Sequence, residues 1–226
     1  NVELRRVGTP RTFDFTPRAQ WDLLDMNGWW APEKIAQICG TRTYCLMGEA
    51  AELDLAVQTY VIQKLIQKGF RFVQCPSITK PQTIFDAGHF MGADQSVMND
   101  DVFMLTGTDR CLAGTAEIIL NSLHGGEILN EKDLPIMYAG FSPCFRKEAG
   151  AAGRDTRGLV RFHQFNKVEQ YIYCTPDQMT SMHELLLRNL CEIMEDLELP
   201  YRVIANCTGD MGFNKVCMND VEAWVP

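Results

Sequence analysis

Two long strand-like segments, residues 135–148 and 159–174, constrain the fold of this chain more than any other feature. Both contain aromatic and β-branched residues, and the loop between them consists mainly of glycine, alanine and arginine. They predict a long antiparallel hairpin whose connection is too wide for a two-residue turn. With helices before and after it, such a hairpin favours an α+β fold, in which helices pack on a mostly antiparallel sheet.

The remaining predicted elements surround this hairpin. A helix over 50–68 carries Leu53, Val57 and Leu65 on one face, and a second helix over about 177–197 carries Leu190 and Ile193 on its apolar stripe. A short helix is predicted at 31–39, strands at 70–75, 101–107, 201–207 and 220–226, and an irregular loop at 85–101. This order is not a βαβα alternation and no GxGxxG fingerprint occurs, which disfavours a Rossmann fold. Residues 1–226 are predicted to form a single domain.

The charge of the chain is unevenly distributed. The 226 residues carry a net charge of -8, which argues against a surface that coats nucleic acid in general. Residues 144–170 nevertheless hold six Lys or Arg against three Asp or Glu, a local balance of +3. The hairpin is therefore the place to look for an anionic ligand.

Nine cysteines and the hydropathy pattern restrict the class of protein. No CxxC pair occurs and the cysteine number is odd, which favours reduced, mostly buried thiols in an intracellular protein over disulfides or a zinc site. No stretch approaches the roughly 20 apolar residues that a membrane-spanning helix needs.

Alternation along the hairpin predicts one chemically mixed face. Counting by two, the second strand would present the side chains of Arg161, His163, Phe165, Lys167 and Glu169 together. On the first strand, Arg146 and Glu148 would share a face. A solvent-exposed charged face is one interpretation. The other is a nucleotide site, since an aromatic ring can stack on a base and guanidinium groups can bind phosphate oxygens at two points.

A resemblance to a known protein family supports the second interpretation, a nucleotide site. "FRKE" at 145–148, a loop, and "RFHQFNKVE" at 161–169 resemble motif 2 of the class II aminoacyl-tRNA synthetases. The longer stretch "CFRKEAGAAGRDTRGLVRFHQFNKVEQ" is similar to the seryl branch of that family, as is "GTAE" at 114–117. Residues 68–78 resemble motif 1, and Pro76 stands where that motif is expected to end.

The resemblance implies roles for individual residues. Arg146 would contact the α-phosphate of ATP and the carboxylate of serine, Glu148 the adenine amino group, and Phe165 the adenine ring. The serine site would comprise Thr115, Ala116, Glu117, Arg146 and Glu169. The ATP site would comprise Arg146, Lys147, Glu148, Phe162, His163, Gln164 and Phe165. Arg154 and Arg157 of the loop would meet phosphates of ATP or of the tRNA end, and no metal ligand is expected within this chain.

The same resemblance implies a serine–tRNA ligase, with ATP and Mg²⁺, serine and tRNA(Ser) as its ligands. A homodimer through residues 50–79 and a cytoplasmic location are expected, with the mitochondrial matrix as the alternative compartment and no membrane partner. Two other functions remain open at this point. One is a catalytically inactive paralogue with a scaffold or regulatory role, and the other is serine activation for a carrier protein.

Parts of the family pattern fall outside these residues. The helical tRNA-binding arm would precede residue 1, and motif 3 with its ATP-binding arginine would follow residue 226. The chain is therefore expected to be an incomplete catalytic core that is inactive by itself.

Overall fold

The computed structural model describes residues 1–89, 101–148, 158–212 and 214–226. The chain divides into two compact units. The terminal unit contains Asn1–Pro17, Ile128–Ile136 and Ile172–Pro226, and the central unit contains Arg18–Glu127 and Met137–Tyr171. Across the described ranges, none of the helices combines the length and the apolar character that crossing a membrane would require.

Six α-helices and eight strands are described. The helices are α1 (Gln20–Asn27), α2 (Pro32–Cys39), α3 (Gly48–Gln67), α4 (Pro81–Asp86), α5 (Glu117–Ser122) and α6 (Met179–Asp196). The strands are β1 (Val2–Val7), β2 (Arg71–Gln74), β3 (Ile78–Thr79), β4 (Cys111–Leu112), β5 (Ile136–Phe145), β6 (Gln164–Tyr173), β7 (Tyr201–Ala205) and β8 (Asn219–Ala223). The two long strands predicted from the sequence are β5 and β6, neighbours in one sheet.

The sheet of the central unit has the order β2-β5-β6, and β2 runs parallel to β5. Helix α5 approaches this sheet closely at Gly140. A Cβ atom at Gly140 would lie 2.7 Å from Cδ1 of Leu120, a side chain of α5 that is completely buried. Only glycine allows the helix and the strand to approach so closely at this point. The contact fixes α5, and the residues just before it, against β5.

The sheet of the terminal unit has the order β1-β7-β8, and both strand pairs are antiparallel. Helix α6 contributes Cys191 to a buried cluster with Tyr201 and Val203 of β7. The predicted stripe on this helix is partly wrong, because Leu190 is 39% exposed while Asn189, Cys191 and Ile193 are buried. The buried face is thus set by how the helix lies on the sheet, which spacing of leucines alone does not determine.

The predicted strand at 101–107 is also wrong. Met104 forms only an isolated bridge with Cys111. The chain turns at once, since Leu105 N donates to the carbonyl of Arg110 and Gly107 has a φ of 76°. The early turn leaves no room for an extended strand. Of the predicted loop at 85–101, the first two residues instead end α4, and residues 90–100 lie outside the described residues.

The cysteines are all free, but they are not mostly buried as predicted. Cys75, Cys111, Cys144 and Cys191 are buried and Cys174 is half-buried. The exposed ones are Cys39, Cys45, Cys207 and Cys217. Burial raises the pKa of the Cys75 thiol to about 11, with smaller contributions from Cys144 and Glu169, and burial also raises the pKa of Cys111.

Thiol alkylation should separate these two groups. We expect iodoacetamide at pH 8 to modify Cys39, Cys45, Cys207 and Cys217 in the folded protein, because the thiolate is the reactive species and these four are accessible. Cys75 and Cys111 should react only after unfolding, since both are buried and a raised pKa keeps the thiol protonated. Peptide mass spectrometry with and without urea measures this. Rapid labelling of Cys75 in the folded protein would contradict the packing of β2 against β5.

Candidate functional site

Two cavities in the central unit contain most of the polar residues that the sequence singled out. The first has a volume of about 350 Å³, and its polar side chains are His89, Asp101, Thr115, Arg146, Glu148 and Arg161. The second has a volume of about 630 Å³ and adds Tyr44, Asp54, Phe162 and Phe165. Arg146, Glu148 and Arg161 line both cavities. The structure therefore brings residues near the end of β5 and the start of β6 together with residues of the 114–118 segment.

Thr115 is the centre of a compact polar cluster. Its side chain is 4% exposed, and its hydroxyl donates to Glu169 Oε2 at 2.9 Å. The Thr115 hydroxyl oxygen also accepts from Lys167 Nζ at 2.6 Å and from the backbone N–H of Glu117 at 3.1 Å. Lys167 Nζ also lies 2.6 Å from Glu169 Oε2. A half-buried ammonium and carboxylate are thus held as a pair, with the hydroxyl fixing the position of both.

The backbone places this cluster beside the end of β5. Residues 113–116 connect β4 to α5, and the carbonyl of Ala113 accepts from Phe145 N at 2.9 Å. The carbonyl of Gly114 accepts from Arg146 Nε at 3.2 Å. Residues 113–115 therefore run next to the point where β5 ends.

Glu117, predicted for the amino end of serine, is the first residue of α5. Its carboxylate lies 3.9 Å from Nε2 of His89, and about a quarter of each side chain is exposed. A carboxylate at a helix N-terminus is also favoured by the helix dipole. Ala116, the next predicted serine-site residue, is completely buried.

Arg146 and Phe165 lie against each other across the two strands. The guanidinium carbon of Arg146 is 5.2 Å from the centre of the Phe165 ring, a cation–π arrangement. Phe165 is the second residue of β6, and Arg146 immediately follows β5. An exposed cation and an aromatic face are therefore available side by side in the larger cavity.

Glu148 forms an ion pair with Arg161, with 2.5 Å between Oε2 and Nη1. The Glu148 side chain is only 12% exposed, so the pair is more than a surface contact. Strict alternation does not produce this pair, because β5 ends at Phe145 and β6 begins at Gln164. Glu148 instead adopts a φ of 53°, and the pair forms between the residues that follow β5 and those that precede β6.

Phe162 and His163 precede β6 and are held by other parts of the unit. The ring of Phe162 packs on Tyr44 with 4.7 Å between ring centres. Burial, and then the nearby charge of Asp54, raise the pKa of Tyr44, so its hydroxyl stays protonated at neutral pH. His163 Nδ1 donates to the carbonyl of Arg146 at 3.1 Å, and its ring meets Phe103 edge-on.

The other predicted site residues are placed less directly. The backbone N–H of Lys147 donates to the carbonyl of Asp101 at 3.1 Å, and Gln164 is exposed at the start of β6. Arg154 and Arg157 lie outside the described residues. Within the described ranges, no three or more His, Cys, Asp or Glu side chains are grouped to hold a metal ion.

Lys167 and Tyr44 are among the residues that the structure adds to the predicted site. Lys167 was placed on the mixed face but given no role, although it contacts both Thr115 and Glu169. The sequence signal for Lys167 was its position two residues before Glu169, because side chains two residues apart on a strand lie on the same face. Tyr44 lies more than a hundred residues before Phe162, and no local pattern connects them.

Comparisons with known proteins agree with one another. Residues 105–226 match the family model described as "tRNA synthetase class II core domain (G, H, P, S and T)". The chain is 48% identical to the serine–tRNA ligase of Deinococcus radiodurans over 228 aligned positions, covering 100% of this chain and 52% of that protein.

Two solved structures share the fold. One is seryl-tRNA synthetase from Pyrococcus horikoshii complexed with ATP, with a TM-score of 0.87 and 39% identity over 94% of this chain and 46% of the other. The other is the cytoplasmic serine–tRNA ligase of Naegleria fowleri in complex with AMP, with a TM-score of 0.92 and 31% identity over 99% of this chain and 53% of the other. The α+β prediction is confirmed, and the chain spans about half the length of these relatives.

The Thr115 hydroxyl should contribute measurably to stability. We expect Thr115→Val, which keeps the shape but removes three hydrogen bonds, to lower the free energy of unfolding by about 1–3 kcal/mol. Thr115→Ser should retain most of the stability, since it keeps the hydroxyl. Urea denaturation followed by circular dichroism measures both.

The matched control is Thr180→Val at an exposed position of α6, which should change stability by less than about 0.5 kcal/mol. Equal effects at the two positions would mean that the cluster around Thr115 does not hold the lysine and the carboxylate in place.

Proposed function

Because this chain belongs to the seryl-tRNA synthetases of class II, we propose that its protein activates serine with ATP and transfers the seryl group to tRNA(Ser). The observation that carries the proposal is the shared lining of the 350 Å³ cavity. It includes Thr115 from the predicted serine site together with Arg146 and Glu148 from the predicted ATP site. A reaction between serine and ATP needs both ligands to be held next to each other.

In the proposed first step, the carboxylate of serine attacks the α-phosphorus of ATP, and pyrophosphate leaves. The products are seryl-adenylate and pyrophosphate. No covalent bond to the protein is needed, so positioning and neutralisation of charge are the protein's contribution. In the second step, the terminal ribose hydroxyl of the tRNA attacks the carbonyl carbon of the adenylate, and AMP leaves.

Arg146 is the proposed contact for the α-phosphate and the serine carboxylate. It lies beside Phe165, the proposed stacking surface for adenine, so one nucleotide could reach both with its base and its phosphates. Glu148 is proposed to accept from the adenine amino group. Its ion pair with Arg161 holds the carboxylate in place while the side chain remains in the cavity lining.

The cluster around Thr115 is the proposed serine end of the site. Glu117 and Glu169 provide carboxylate acceptors for the ammonium and hydroxyl groups of serine, Thr115 positions Glu169 through its hydroxyl, and Ala116 is the buried residue between Thr115 and Glu117. Lys167 orients Glu169 by direct contact. A site built to bind the serine hydroxyl should reject alanine strongly, because the acceptor would be left without a partner.

The other proposed ligands belong to the whole protein. Mg²⁺ would accompany the phosphates of ATP, since this ion typically binds substrate phosphates and keeps several waters. Arg154 and Arg157 are proposed to contact phosphates of ATP or of the tRNA end, while Lys147, Phe162, His163 and Gln164 complete the proposed ATP side. We propose the cytoplasm as the location, with the mitochondrial matrix as the alternative.

A homodimer is proposed through residues 50–79, which include most of α3 and all of β2. Leu53 and Leu55 of α3 are each 65% exposed, and Ile66, Phe72 and Ile78 are also exposed. Apolar side chains of this size on adjacent elements favour burial against another surface. A second copy of the same chain would cover them with the same patch, as two-fold symmetry requires.

Arg146→Ala in the full-length protein tests the chemistry. We expect serine-dependent pyrophosphate exchange to fall on the order of 10²–10³-fold, with little change in thermal stability because the side chain is exposed. Arg146→Lys should not restore the rate, because lysine lacks the planar fork. The control is Arg110→Ala, another exposed arginine of the central unit. An unchanged exchange rate in Arg146→Ala would remove this residue from the mechanism.

Light scattering of the full-length protein at micromolar concentration tests the dimer. We expect the mass of two chains, and we expect Leu53→Glu or Leu55→Glu to shift the population toward monomer by introducing a charge into the apolar patch. Ile38→Glu is the control, since Ile38 is 75% exposed on α2, outside the proposed patch. A monomeric unsubstituted protein would be evidence against this interface.

A further inference from the structure

Arg42 contacts the residues that follow β5 and the residues that precede β6. Its Nη1 donates to the carbonyl of Glu148 at 2.6 Å. Its own carbonyl accepts from the backbone N–H of His163 at 2.9 Å. Arg42 lies 106 positions before Glu148 in the sequence, yet it is bonded both to Glu148 after β5 and to His163 before β6.

The backbone at this contact is unusual on both partners. Arg42 has a φ of 57° and Glu148 has a φ of 53°, the left-handed region that residues with a Cβ atom rarely adopt. Such conformations persist only where the surroundings impose them, and they occur preferentially at functional sites. Here the two residues are joined directly by the hydrogen bond from Arg42 to the Glu148 carbonyl.

Neighbouring contacts extend the same arrangement. Two residues after Arg42, the ring of Tyr44 packs on Phe162, which lines the larger cavity. Arg161 holds the Glu148 side chain, whereas Arg42 holds the Glu148 backbone. The segment around Arg42 thus contacts both Glu148 and Phe162.

We infer that Arg42 is a positioning residue for the ATP half of the site, an inference that rests on the proposed function. It binds the backbone of Glu148 and of His163. In this way it positions the Glu148 carboxylate and the His163 ring, which would face the nucleotide. The serine half is held separately, by the hydrogen bonds of Thr115 with Lys167 and Glu169. Loss of the Arg42 guanidinium should therefore weaken ATP binding selectively.

The substitution Arg42→Gly separates the two contributions of this residue. Glycine accepts a positive φ without strain and keeps the carbonyl that binds His163, so the substitution removes the guanidinium that contacts Glu148 and preserves the backbone contact. In the full-length protein we expect KM for ATP in pyrophosphate exchange to rise about tenfold, as for loss of a hydrogen bond from a charged donor. KM for serine should change by less than about twofold, since uniform damage to the site would raise both.

Two further variants complete the set. Arg42→Lys should recover part of the ATP affinity, since an ammonium can donate to the Glu148 carbonyl. Arg110→Ala, which removes an exposed guanidinium paired with Asp109, should leave both KM values unchanged. Equal KM values for ATP in Arg42→Gly and the unsubstituted protein would overturn the inference, and so would parallel increases for serine and ATP.

Calorimetric titration with ATP distinguishes failure of this inference from failure of the proposed function. If the unsubstituted protein binds ATP but shows no serine-dependent exchange, the proposed reaction is wrong, and the affinity ratio still decides the role of Arg42. About tenfold weaker binding by Arg42→Gly supports the inference. Equal affinities, or no ATP binding by the unsubstituted protein, would overturn it.

Discussion

The arrangement of the site depends on the three hydrogen bonds of the Thr115 hydroxyl. The hydroxyl accepts from Lys167 and from the N-terminal N–H of α5, and it donates to Glu169. One oxygen therefore connects the β4–α5 segment to the middle of β6. Because the hydroxyl is buried, losing any of these bonds would leave a polar group without water to replace its partner. The same bonds that stabilise the fold thus hold the proposed serine end in a fixed geometry.

The close packing of α5 on β5 makes that geometry achievable. Gly140 allows Leu120 to approach the strand, and the carbonyls of Ala113 and Gly114 accept from Phe145 and Arg146 just beyond it. The start of α5 and the end of β5 are therefore held together by side-chain packing at Gly140 and by hydrogen bonds at Ala113 and Gly114. This explains how residues from distant parts of the sequence come to line one cavity.

The positive charge of the hairpin is organised by pairing rather than by exposure alone. Arg161 pairs with Glu148, and Lys167 pairs with Glu169, so each carboxylate is held by a cation from β6 or the residues before it. Arg146 instead lies against the Phe165 ring and the Gly114 carbonyl. Pairing of this kind keeps the carboxylates ordered before a ligand binds, which reduces the conformational freedom that binding would otherwise have to remove.

The sequence by itself determined the features that depend on neighbouring residues. The helix α3 and the two long strands follow local periodicity, which the chain carries in any context. The motifs around Arg146 and Thr115 were found by their resemblance to a known family, which also depends on short runs of adjacent residues. Tertiary structure decided the rest. The run at 101–107 turns after a single bridge, Leu190 is exposed while Cys191 is buried, and Lys167 joins the serine end because β6 lies beside Thr115. Arg42 reaches Glu148 only through the fold, since contacts between residues 106 positions apart leave no periodic trace in the sequence.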